Sequence, residues 1–187
     1  MNIAVYSGSF NPLHIGHLAI IRHLTDKEGF DRAYLIVSPK NPLKEGICAT
    51  SGQDRFNAAQ EAVERHFHNS GKVIVDDIEL KMPAPHYTIR TLDALKEREP
   101  GNSFTLIIGG DNLADIRRWR DYSRILEEYG VAVFPRKGTD LMKVREELLA
   151  ENPAFNIRLM DAEMVDISST TIRKALSEGK DVSQWLM

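Results

Sequence analysis

The sequence predicts an α/β protein built on a doubly wound parallel sheet, and three observations predict it. Short apolar runs rich in Ile, Val and Ala recur along the chain, each the length of a strand rather than a helix. Amphipathic stretches with helical spacing separate these runs. The 187 residues, 42% hydrophobic and 27% charged, are enough for one such domain with a full core, spanning 1–187, and too few for two. Strands alternating with helices in this way lie parallel and are joined by right-handed crossovers.

In chain order, Ile3, Ala4, Val5 and Tyr6 form the first run and Ser7 and Gly8 close it, as a buried strand entering a turn. Leu18, Ile20, Ile21 and Leu24 then recur at helical spacing until Gly29. A helix therefore starts between Pro12 and Gly16, where proline is tolerated in the first turn. Residues 33–37 are a second strand, ahead of Pro39. The polar loop over 40–53 is long, and loops of that length in a compact domain usually carry function. Residues 54–67 form an amphipathic helix with Phe56, Ala59, Ala62, Val63 and Phe67 on its apolar side.

The third strand, 73–75, is followed by Asp76, Asp77 and Glu79, which read as caps and surface charge rather than a metal cluster. A loop over 83–87 enters a helix over 88–98, and 104–108 is a strand closed by Gly109, Gly110 and Asp111. Two short helices are expected within 112–129, a strand at 131–134 and a helix at 140–150. A short strand at 157–160 and a last helix at 170–176 complete the alternation.

The first strand–turn–helix junction holds the chemistry. Exposed backbone amides and the positive end of a helix dipole meet there at the carboxyl edge of a sheet, where phosphates bind in open α/β folds. Ser7, Gly8, Ser9 and Phe10 make the turn that faces such a phosphate. His14 and His17 are three apart on the first helical turn, so they share a face and both can donate to one anion. Gly16 between them leaves room for close approach. A mononuclear zinc site wants three or four ligands, and no cysteine or acidic residue accompanies the pair before Asp26.

This stretch, G-S-F-N-P-L-H-I-G-H, resembles the signature of the nucleotidylyltransferase superfamily, whose H-x-G-H binds the phosphates of a nucleoside triphosphate. Near the far end, Ile167-Ser168-Ser169-Thr170-Thr171-Ile172-Arg173 opens the last helix. One hydroxyl is explained as an N-cap, furnished by Ser169 or Thr170. The other hydroxyls, together with an arginine one turn along, suit an anion. The segment is similar to the I-S-S-T-x-I-R motif that closes the triphosphate site in the same superfamily. The resemblance implies a Rossmann-like nucleotidylyltransferase fold, with His14, His17 and Arg173 at the reacting phosphates and Ser168, Ser169 and Thr170 binding ATP. Gly109 and Asp111 resemble the superfamily's I-I-G-x-D. Asp111 can accept from sugar hydroxyls, orient a hydrated Mg²⁺, or cap a helix beginning at Asn112.

The middle of the chain bears on the acceptor. Pro85 to Leu92 and the later Arg118-Trp119 resemble the S-Y-T-x-x-T-L loop and the tryptophan of bacterial nicotinate-nucleotide adenylyltransferases. The likeness implies that Trp119 stacks on a pyridine ring and that Tyr87 and Thr88 meet its carboxylate. Lys44 matches a basic loop residue that contacts phosphate, and Arg136 matches the family's R-P-G, with Lys137 in place of the proline. His86 stands where serine is usual and Tyr122 where a second tryptophan is frequent.

The implied reaction transfers adenylyl from ATP to nicotinate mononucleotide, with Mg²⁺ carried by ATP and no dedicated metal site in the protein. Neighbouring phosphates are expected to favour imidazolium at His14 and His17. Nicotinamide mononucleotide and phosphopantetheine are alternative acceptors, and a nucleotide-binding sensor without turnover is a further reading. A formal net charge of −3 argues against nucleic acid as a partner. The absence of an apolar run of transmembrane length, of a leader and of any second cysteine beside Cys48 leads us to expect a cytoplasmic protein free of the membrane. A homo-oligomer is compatible with all of this.

Overall fold

The computed structural model describes residues 1–39, 51–68, 70–163 and 166–187. Its centre is a six-stranded sheet of β1 (Asn2–Gly8), β2 (Arg32–Val37), β3 (Val73–Asp76), β4 (Ser103–Gly109), β5 (Val131–Phe134) and β6 (Ile157–Leu159). All neighbouring strands pair parallel, in the order β3-β2-β1-β4-β5-β6. The expected doubly wound parallel sheet is thus observed, with its order reversing between β1 and β4. In open α/β sheets a ligand crevice lies at that reversal, outside the carboxyl ends of the strands.

Side-chain alternation along the strands builds a core on each face. On one face Ala4 and Tyr6 of β1, Ala33, Leu35 and Val37 of β2, and Ala132 and Phe134 of β5 pack under α1 (Ile15–Asp26) and α2 (Gly52–Phe67). On the other, Ile3, Val5, Tyr34, Ile36, Leu106 and Ile108 pack under α4 (Thr88–Arg98) and Leu148 of α7 (Leu141–Glu151). Strands buried on both sides are why each reads as an unbroken apolar run. The last helix, α8 (Ser169–Ser177), buries only Ile172 and Ala175, in a small cluster with Val182.

The expected elements are present to within a residue or two at most ends, with two differences between β3 and β5. Between β4 and β5 the chain forms α5 (Gly110–Ala114), a 3₁₀ turn (Ile116–Arg118), α6 (Tyr122–Arg124) and a π-type turn (Ile125–Tyr129) rather than two helices. Short turns of this kind bury isolated apolar residues, here Leu113, Ile116, Ile125 and Leu126, without a sustained helical stripe to announce them. A four-residue helix, α3 (Ile78–Lys81), also intervenes after β3.

Of the acidic residues around α3, Asp76 caps as expected but is buried, and Glu79 is neither cap nor surface charge. Asp76 is buried, accepts from the Ile78 amide at 2.9 Å and pairs with Arg98 at 2.6 Å. Glu79 is buried as well, and Asp77 is half-buried in an i,i+4 pair with the exposed Lys81. Arg55 is the converse surprise. It lies on the same α2 face as Ala59, Ala62 and Val63, is buried, and donates to the carbonyls of Ser9 (2.6 Å) and Ser38 (2.8 Å). No helix among the described residues is long and apolar enough to cross a membrane.

Candidate active site

The turn after β1 is shaped by Phe10, whose backbone is left-handed at φ 45°. That conformation costs a bulky residue about 1–2 kcal/mol, and burial of the ring offsets it. The ring packs edge-on to Tyr6 (5.6 Å) and to His17 (5.2 Å). Phe10 therefore packs against His17 from the core, and it lines neither of the cavities described below. Gly8 is tied in the same way: its carbonyl accepts from Ser38, and a Cβ there would meet the Phe10 ring at 3.1 Å. Ser9 is exposed and its carbonyl receives Arg55.

His14 is the N-cap of α1, and His17 completes a reciprocal cap. His14 Nδ1 accepts from the Gly16 amide and His17 Nδ1 accepts from the His14 amide, each at 3.2 Å. Two imidazole nitrogens thus do what a hydroxyl and a carboxylate do in an ordinary capping box. Since both Nδ1 atoms accept, the proton of each neutral ring sits on Nε2. The ring centroids are 3.7 Å apart.

The imidazolium expectation concerned rings beside phosphate; the protein's own groups around them favour the neutral form. Burial first, then Arg136, lowers His14 to about 4. Burial, His14 and Arg136 hold His17 well below the usual histidine range. Protonation would also require each Nδ1 to give up its backbone donor. With Nδ1 accepting a backbone amide, each ring in its neutral form carries its proton on Nε2. Gly16 serves the pair more directly than the sequence implied: a Cβ there would come within 3.0 Å of the His14 ring and 3.2 Å of Ile167.

Two cavities open at the carboxyl edge between β1, β4 and β5. The larger, about 610 Å³, is lined by His14, Gly16, His17, Asp111 and Ser168, with Glu163, Lys137 and Asp166 around it. Lys137 and Asp166 form an ion pair there. The smaller, about 180 Å³, is lined by Ser7, Thr88, Gly109, Asn112 and Trp119. Tyr6, Phe134 and Arg136 line both. The Arg136 guanidinium stands over the Phe134 ring, 5.1 Å from its centroid, and its Nε is 4.0 Å from Asp111. Gly109 keeps this junction tight, because a Cβ would fall 2.6 Å from the Asp111 carboxylate and 3.1 Å from Phe134. Asp111 lies within the first turn of α5, which begins at Gly110, so it is not the cap of a helix starting at Asn112.

The far end of the chain reaches the same place. Ser168 caps α8, accepting from the Thr171 amide, where Ser169 or Thr170 had been the candidates. Ser169 donates to the Pro12 carbonyl at 3.0 Å. Arg173 lines neither cavity: it donates to the Asn11 carbonyl at 2.7 Å and to the Thr170 hydroxyl at 3.2 Å. Through these contacts it ties α8 to the turn before His14.

On the acceptor side, Thr88 opens α4, no side chain caps that helix, and Tyr87 is exposed outside both cavities. Trp119 is half-buried, packed on the core and lining the smaller cavity, so it is both a core aromatic and a wall. His86, at the unusual position, hydrogen-bonds the Met82 carbonyl through Nε2 at 2.9 Å. Lys44 lies outside the described residues. Tyr6 and Phe134 escaped the sequence reading, although each sits at the carboxyl end of an apolar run beside a candidate residue. Nothing local marked Glu79, whose partners are distant.

Residues 5–175 match the cytidylyltransferase-like family. A protein of Flavobacterium johnsoniae described as a probable nicotinate-nucleotide adenylyltransferase is 38% identical over all of this chain and 92% of its own length. A Bacteroides thetaiotaomicron protein of the same description is 39% identical, over all of this chain and 87% of its own. Among solved structures, the Plasmodium falciparum nicotinic acid mononucleotide adenylyltransferase complexed with NaAD superposes with a TM-score of 0.76 at 20% identity, covering 99% of this chain and 90% of that one. At that identity the superposition bears on the fold alone, and the sequence relatives carry the rest. The chain belongs to the cytidylyltransferase-like family and, within it, to the nicotinate-nucleotide adenylyltransferases.

Proposed function

We infer that this protein transfers the adenylyl group of Mg-ATP to nicotinate mononucleotide, giving nicotinate adenine dinucleotide and pyrophosphate, a step of NAD biosynthesis. The observation that carries the reading is the pair of adjoining cavities that share Tyr6, Phe134 and Arg136. A triphosphate held at the histidines and a pyridine nucleotide held between Thr88 and Trp119 would meet at Arg136.

The acceptor's 5′-phosphate oxygen forms the new bond to the α-phosphorus while the bond to the β-phosphate breaks. Its second pKa is about 6, so at neutral pH it is mostly a dianion and needs no general base. That suits two histidines already committed as Nε2–H donors. His14 and His17 bind phosphate oxygens, Arg136 supplies the fixed positive charge, and Ser168 with the α8 amides closes the far side. Gly109 keeps the backbone close at the ribose, where Asp111 faces the cavity. Arg173, Ser169 and Thr170 act by holding the turn that precedes His14. Mg²⁺ enters with ATP, held by phosphate and water. Among the described residues no three His, Cys, Asp or Glu side chains converge on a cation. The formal charge of −3 and cavities of this size favour small-molecule substrates, the 187 residues suit one domain, and a single cysteine suits a reducing compartment such as the cytoplasm.

The test is pyrophosphate release from Mg-ATP with nicotinate mononucleotide, nicotinamide mononucleotide or phosphopantetheine supplied separately. Nicotinate mononucleotide is expected to give the highest kcat/KM. Release with none of the three would overturn the reaction, and a preference for phosphopantetheine would overturn the acceptor.

A further inference from the structure

We propose that Glu79 is a positioning residue for the acceptor half of the site, tying Ser7 of β1 and the first turn of α4 to one carboxylate oxygen. The proposal rests on the reaction inferred above. Glu79 is 5% exposed and stands on the four-residue helix α3, outside both cavities. Its Oε1 accepts from the Thr91 hydroxyl at 2.8 Å and from the Ser7 hydroxyl at 3.4 Å. These partners lie 12 and 72 residues away along the chain.

The chemistry of the carboxylate gives the network a direction. A carboxylate only accepts, so both hydroxyls turn their hydrogens toward Glu79. Ser7 Oγ is also 3.0 Å from Ser38 Oγ. With the Ser7 hydrogen committed to Glu79, Ser38 becomes the donor in that pair, and Ser7 keeps an acceptor lone pair. Ser7 and Thr88 are walls of the smaller cavity, and Thr91 is about one helical turn beyond Thr88. One oxygen therefore sets the spacing of two walls that come from different parts of the chain. Burying a carboxylate is costly and merely holding α4 down would not require one, since an apolar side chain of similar size would pack there. What the carboxylate adds is a defined separation and a defined hydroxyl orientation.

Steady-state kinetics of the full chain with each substrate varied in turn test this. Glu79→Ala is expected to raise KM for nicotinate mononucleotide about tenfold, as the loss of a hydrogen bond to a charged group implies, with KM for ATP within about twofold. Glu79→Gln, whose amide oxygen can take over both bonds, should restore most of the loss. Thr91→Val, nearly isosteric, should reproduce part of it and covers the case in which Glu79→Ala does not fold. A folded variant in which neither KM changes, or in which KM for ATP rises as much as that for the acceptor, overturns the role. If the wild type releases no pyrophosphate with nicotinate mononucleotide, the assigned reaction falls and this role falls with it. An active wild type with unselective variants removes the role of Glu79 alone.

Discussion

At the scale of single residues, the histidine pair is the most constrained feature of the site. Each ring spends Nδ1 on a backbone amide and keeps Nε2–H for a ligand. Removing one positioned donor at such a centre costs about 100-fold to 1,000-fold in rate, and we expect a loss of that order in kcat/KM for His17→Ala. Turnover near the wild-type value in that variant would remove His17 from the reaction. The same contacts set a pH dependence of stability. An unfolded imidazole takes up its proton near pH 6.5 and folded His14 only near pH 4. Below pH 6.5 the unfolded chain thus binds more protons, and stability falls until the pH drops past about 4. For His14 alone this amounts to roughly 2–4 kcal/mol. Urea midpoints measured from pH 7 to pH 4 should fall in the wild type and fall less in His14→Ala. Equal slopes would mean that the ring is not held neutral.

At the scale of elements, the decisive contact is between α8 and the turn ahead of α1. Ser169 and Arg173 donate to the carbonyls of Pro12 and Asn11, so the last helix fixes the stretch that delivers His14. Lysine at 173 keeps the charge but lacks the planar fork that serves the Asn11 carbonyl and Thr170 together. Arg173→Lys should lower kcat/KM about tenfold or more, with little change in the melting temperature, since α8 buries few residues of its own. A variant with wild-type kinetics would show that the clamp is dispensable. Arg55 plays a comparable part from α2, bracing the carbonyls of Ser9 and Ser38 from below.

At the scale of the whole molecule, the sheet order places the ends of β1, β4 and β5 side by side, and the two cavities share Arg136 because of it. The sequence resembled its family at several separate motifs, and only the sheet brings them within reach of one another. The π-type turn and short helices between β4 and β5 deliver Trp119 to the same crevice.

The sequence by itself determined the strands, most helices, the turn after β1 and the family, because apolar periodicity and short motifs are local properties of a chain. Arg55 was not read from it, although that residue falls on the buried face of Ala59, Ala62 and Val63. Tertiary structure alone supplied what lowers the pKa of the histidines, namely burial and Arg136 just beyond the end of β5. It alone turned Arg173 to a carbonyl 162 residues away and moved Glu79 from expected surface charge into a buried link between Ser7 and Thr91. Desolvation and long-range hydrogen bonds depend on what the fold brings together, and no local pattern encodes a partner that distant.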